Sequence, residues 1–218
     1  MERFCVLNQF NTWYDWGLIL TKKEVSTPEP KTNYITLDGA NGSLDLTEAL
    51  SGEVAYQDRN VSLTFWTDAG DRKYRERLLQ KITSEIHGKK FKIIEPDDLE
   101  HYLLGRIKVT SRSNNLAYAQ IQFDATCEPW RYAVEDTVRS VSVVGGEPKY
   151  LICTNSGVKT VQPTIISTGN INLSFDGISV DLPSGIHTVS DFKLKQGSNV
   201  ITVSGSGSIT LTYKEADL

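Results

Sequence analysis

The run Cys127-Glu128-Pro129-Trp130-Arg131 divides this chain into two kinds of sequence. All four tryptophans (Trp13, Trp16, Trp66 and Trp130) lie at or before it, as does the one long helical pattern. Beyond it come Gly, Ser, Thr and Val in short alternating runs. A proline between two such regimes marks a boundary between two independently packed cores. The 218 residues suffice for one large or two small domains. The expected division is 1–133 and 134–218.

In the first half, Val61, Leu63 and Phe65 alternate with Ser62, Thr64 and Trp66, the period of a half-buried strand. Strands are also expected at Tyr34–Leu37, Phe91–Ile94, Tyr102–Val109 and Leu116–Phe123. Asp38-Gly39-Ala40-Asn41-Gly42 is a turn, because Gly and Asn tolerate positive φ. Residues 71–87 differ. Tyr74, Leu78, Ile82 and Ile86 recur every four residues with Leu79 beside them, giving a helix with one apolar stripe. Asp68 or Asp71 can cap its start, and Gly88 stands where a terminating glycine belongs. The second half reads as all β, with strands such as Val138–Val144, Tyr150–Thr154, Val161–Ser167, Ile171–Phe175, Val200–Ser204 and Ile209–Tyr213. Turn signals every 8–12 residues point to a sandwich or jelly roll. Asp176-Gly177 is a hairpin dipeptide, and Gly205-Ser206-Gly207-Ser208 reads as a hairpin connection.

Chemistry is sparse. His87, His101 and His187 lie in unrelated contexts with no second ligand at a metal spacing. No cofactor, metal or catalytic constellation is expected. The carboxylate run Glu95–Glu100 lacks calcium-loop spacing and reads as a solvated loop. Cys5, Cys127 and Cys153 are too few for a disulfide framework and are expected to be reduced structural thiols. No stretch is long and apolar enough to span a bilayer, and the N-terminus lacks the apolar core of a secretion signal, so cytoplasmic synthesis without membrane insertion is expected. A net charge of −4 gives no general case for nucleic-acid binding. The helix nevertheless carries Arg72, Lys73, Arg75, Arg77 and Lys81 around its polar side. These cations suit a solvated face or a subunit interface, where arginine is enriched.

Several motifs in order resemble the distal tail protein (Dit) family of long, flexible-tailed phages. They are Tyr14-Asp15-Trp16-Gly17-Leu18, the Asp38–Gly42 turn, Tyr56-Gln57-Asp58-Arg59 before the Val61–Phe65 strand, the helix, Tyr102 with Gly105 and Arg106, Ala125–Trp130, and Gly197–Gly207. The resemblance covers nearly the whole chain. It implies a mainly β fold: an N-terminal β-sandwich-like domain with one α-helix at about 71–87, and a C-terminal galectin-like β-sandwich or jelly roll. It implies a structural virion protein at the distal tail tip, assembled in the bacterial host cytoplasm as a homo-hexameric ring. One face of the ring would meet the tail-tube protein. The other would meet the baseplate hub or tail-associated lysin, and the outer domains would offer docking platforms to receptor-binding proteins.

Two placements follow from that resemblance. DNA must pass through the lumen without specific binding, and a basic lining would hold its phosphates. Arg72, Arg75, Arg77 and Lys81 are therefore expected at a subunit interface or on the exterior. Cys127, Pro129 and Trp130 become the inter-domain hinge, with Pro129 ending the last strand of the ring domain and Trp130 anchoring the exit. The rival reading is a carbohydrate-binding module that attaches a particle to the cell wall. The C-terminal half offers it only Tyr150, Phe175, Phe192 and Tyr213 as aromatics, and Phe175 and Tyr213 read as core.

Overall fold

A computed structural model describes residues 4–49, 52–145 and 147–218. The fold is mainly β with a single helix, as the sequence indicates. The chain forms two compact units, one running to Pro129 and including Leu218, the other Trp130–Asp217.

The first unit is built on one curled sheet. Its strands are β1 (Val6–Leu7), β2 (Phe10–Asn11), β3 (Ile19–Val25), β6 (Arg59–Thr67), β7 (Lys90–Glu95), β8 (Asp98–Asn114) and β9 (Ala119–Ala133), in the order β2-β1-β7-β8-β9-β6-β3. Alternation decides the faces. Val61, Leu63 and Phe65 of β6 and Ala119, Ile121, Phe123, Ala125 and Cys127 of β9 point into one core. Helix α1 (Arg72–Ile86) covers that core with Leu79, Ile82 and Ile86. Each such side chain contributes about 1.5–3 kcal/mol when fully buried, before entropy costs. Asp71 caps the helix by accepting a hydrogen bond from the Tyr74 N–H at 2.7 Å, and Gly88 follows the C-cap at φ +78°. A separate hairpin, β4 (Tyr34–Thr36) with β5 (Ser43–Asp45), leaves the sheet between β3 and β6, and every residue of both strands is exposed.

The sheet admits one very close approach. A Cβ on Gly105 would stand 2.3 Å from Cys127 Sγ and 2.7 Å from the Thr126 carbonyl. Glycine there lets β8 lie against β9 over a thiol.

The described residues of the second unit form no helix. The unit comprises β10 (Thr137–Val143), β11 (Lys149–Asn155), β12 (Thr164–Ser167), β13 (Asn170–Phe175), β14 (Ile178–Leu182), β15 (Gly185–His187), β16 (Gly197–Tyr213) and β17 (Ala216–Asp217). Strand β16 organises it. Residues 197–206 pair with β11 and β13, and residues 207–213 pair with β10 and β12. The Gly205–Ser208 segment is thus no hairpin connection, which corrects the sequence reading. It is the bend at which one strand passes between two sets of partners. The backbone explains the glycines. Gly205 lies at φ +106°, and a Cβ there would meet the Asn170 carbonyl at 2.3 Å. Asp176 and Gly177 at φ +49° and +79° make the expected tight turn between β13 and β14.

Pro129 does not end its strand. β9 continues to Ala133, and Pro129 falls between the pairs Arg59↔Cys127 and Asp217↔Arg131. A missing N–H breaks neither ladder at that position.

Candidate interaction surfaces

The cations of α1 divide into two groups. Arg75 is 2% exposed and belongs to the interior, not to the polar face where the sequence placed it. Its guanidinium donates to the carbonyls of Gly70 (2.7 Å), Asn115 (3.0 Å) and Leu116 (2.9 Å). It clamps the turn between β8 and β9 onto the start of the helix. A buried side chain engaged in this way is not available to a partner, so Arg75 leaves the proposed interface set. Arg72, Lys73, Arg77 and Lys81 are exposed, and Lys81 lies 3.9 Å from Glu85. Tyr74, expected in the apolar stripe, is 53% exposed. The buried line is Arg75-Leu79-Ile82-Ile86, one residue round the helix from Tyr74.

Other polar groups also prove internal. Glu95 is buried, and Lys23 bridges it at 3.3 Å and Asp97 at 2.8 Å. The carboxylate run is therefore a tight turn with Glu95 paired to Asp98 across it, not a solvated loop. Lys23 carried no signal in the sequence that it would reach this turn. His87 is the C-cap residue, and its Nδ1 accepts from the Val109 N–H at 3.1 Å. Arg59 is buried and donates to the Pro129 carbonyl.

The outer face of the first sheet carries a groove of about 840 Å³ lined by Glu24, Ser62, Lys108, Gln122, Asp124 and Thr126, among others. Asp124 accepts from Ser62 Oγ at 2.7 Å and Gln122 Nε2 at 3.0 Å. Burial opposes its ionisation. Hydrogen bonds from Gln122, Ser62 and Thr110, with Lys108 nearby, outweigh burial and hold it below the ordinary carboxylate range. A carboxylate so satisfied is a poor general acid or base at neutral pH. The described lining residues include neither histidine nor cysteine. The three cysteines are free, and burial is the main cause that raises the thiols of Cys5 and Cys127 to about 12 and that of Cys153 to about 11. They are inert packing groups. Among the described residues, no group of three metal-ligating side chains comes together, and no helix is long and apolar enough to cross a membrane.

In the second unit, Trp130 and Tyr132 lie under Lys159 Nζ at 5.5 and 4.8 Å from their ring centroids. Phe175 packs partly buried against core Phe192 in a tilted pair with ring centroids 5.3 Å apart, and Tyr213 is buried, as the strand pattern indicates. Tyr150 is different. It is 70% exposed and stands directly across from Thr202, which pairs on through Ser174 to Ser179.

The described residues form two mainly β units, the first with a single helix laid over its sheet. The chain's backbone superposes over 99% of its length on 99% of the crystal structure of the SPP1 Dit (gp 19.1) protein, with a TM-score of 0.73 and 13% sequence identity. That protein is described as a paradigm of the hub adsorption apparatus in phages that infect Gram-positive bacteria. No family model matches the sequence, and no curated protein is similar to it.

Proposed function

We propose that this chain is a structural component of a phage or phage-like tail tip, forming a hexameric ring between the tail tube and the baseplate hub or tail-associated lysin. The observation that carries this reading is the end-to-end fold match to a hub adsorption protein, at an identity too low for copied function. The order of motifs along the sequence supports it independently. In this reading residues 1–133 build the ring and residues 134–218 form a galectin-like outer platform for receptor-binding proteins. Arg72, Arg77 and Lys81 face a neighbouring subunit, and Cys127, Pro129 and Trp130 carry the passage between the domains. The role is non-enzymatic and belongs to the virion, after synthesis in the host cytoplasm.

Light scattering on the purified full chain tests the ring. The expected mass is six times the 24.3 kDa of one chain. A monomer at every concentration, alone and with tail-tube protein, would sink the reading.

One observation favours a second reading, attachment to cell-wall carbohydrate. Tyr150 presents an open aromatic face beside a row of hydroxyls, the chemistry that stacks and hydrogen-bonds a sugar ring. Saturable binding of the full chain to a glycan array, lost in Tyr150→Ala, would establish it. Equal signal from both proteins would dismiss it.

A further inference from the structure

The outward face of the sheet around Tyr150 can be read row by row, because residues paired directly across strands share a face. Tyr150, Thr202, Ser174 and Ser179 form one row across β11, β16, β13 and β14. Ile152 and Val200, both exposed, form the row on one side of it. Ser204, Asn172 and Asp181 form the row on the other side. That last row lines a concavity of about 460 Å³ together with Leu182 and Pro183, within the range of about 300–1,000 Å³ usual for small-molecule sites. Asn172 Nδ2 donates to Asp181 Oδ1 at 2.8 Å and to Ser179 Oγ at 3.2 Å. The first bond holds the Asp181 carboxylate in place and leaves its Oδ2 without a donor among the described residues. Asp181 is the only charged residue in the three rows.

We infer that this face binds a neutral oligosaccharide, with one sugar ring stacked on Tyr150 and a second, linked ring seated at Asn172 and Asp181. The inference rests on the cell-wall carbohydrate reading and says which class of sugar it takes. Spacing sets the size. Tyr150 and Asn172 stand two strands and two residues apart, about 12 Å at ordinary sheet spacing, which is wider than a single sugar ring. Hydrogen bonding sets the polarity. An ionised carboxylate only accepts, and sugar hydroxyls donate to it, while the hydroxyls of Thr202, Ser174 and Ser204 between the two ends can do either. Charge sets the neutrality. A phosphate- or uronate-bearing glycan would bring its anions against Asp181, with no lysine or arginine in the three rows to meet them. Tyr150 with Ile152 and Val200 supplies apolar ground for the C–H face of the first ring.

Binding of the full chain to an array of neutral hexose and N-acetylhexosamine saccharides, with uronate- and phosphate-bearing counterparts, tests this. Wild type should bind neutral disaccharides and longer chains about tenfold or more tighter than single rings or the charged counterparts. Tyr150→Ala should abolish binding. Asp181→Ala should weaken the neutral chains about tenfold or more, as loss of a charged hydrogen bond does, and Asp181→Lys should turn the preference toward uronate-bearing chains. Both positions are exposed, and circular dichroism checks that each variant folds. Binding that Tyr150→Ala removes but Asp181→Ala leaves unchanged, or that favours single rings or charged glycans, would overturn this inference and leave the carbohydrate reading standing. A folded wild-type chain with no saturable binding to any saccharide would overturn both.

Discussion

The two units close their cores by different means. The first lays α1 over one sheet, and buried polar side chains fix the joints: Arg75 holds the β8–β9 turn, Arg59 holds Pro129 and Lys23 holds Glu95. The described residues of the second include no helix to use as a cover. That unit bends β16 between two sets of strands, and its joints are backbone approaches at Gly169, Gly205 and Gly207. A side-chain joint has several bonds and degrades in steps. A glycine joint has no side chain to spare, so adding one atom breaks it.

The sharpest way to break this comparison is Gly205→Val. The new Cβ would stand 2.3 Å from the Asn170 carbonyl at a positive φ, and we expect a loss of about 4 kcal/mol or more. Hydrogen exchange read by segment should show protection collapsing in residues 130–217 and persisting in α1 and β6. Collapse in both units alike would show that they do not hold separate cores.

Next in size is the pair Arg75→Met and Arg77→Met. The first strips donors from three carbonyls and should cost about 2–4 kcal/mol, while the second should stay within about 0.5 kcal/mol. Urea titration followed at the helix distinguishes them. Equal costs would mean that Arg75 is no clamp. Asp71→Ala removes the helix cap and should cost about 1 kcal/mol in the same assay. No change would remove the cap from the account.

The smallest effect compares the thiols. Their folded values, about 12 for Cys5 and Cys127 and about 11 for Cys153, lie above the ordinary 9.0. Stability from a raised group is complete below the unfolded value and is lost as pH rises toward the folded one. Both units should therefore weaken from about pH 9, the first more steeply at the outset because it holds two such thiols against one. Cys127→Ser should reduce that alkaline slope in the first unit only. An unchanged slope would show that Cys127 does not contribute to it.

Much of this architecture was legible in residue patterns. The helix was readable because Asp71, Gly88 and the four-residue spacing agree, and β6 because its alternation is strict. The phase of the helix was not readable: Tyr74 fits the apolar period, whereas the side chain that goes inside is Arg75, which no hydrophobicity pattern marks. Gly205–Ser208 looked like a turn because glycine serves turns and sheet corners equally well. Pro129 looked like a stop because its harm depends on which ladder its N–H would have joined. Lys23 and Glu95 meet across 72 residues of sequence, a contact no local spacing encodes. The interaction surfaces were half visible. The cations of α1 and Tyr150 could be named, but the exposure of Tyr74 and the register that sets Tyr150 beside Thr202 and Ser174 needed the fold.

We propose that the first unit carries assembly, and electron microscopy of the purified full chain tests that claim most directly. The account predicts closed rings with six-fold symmetry and an open centre. Single chains or two-fold dimers as the only particles of the wild-type protein would contradict it.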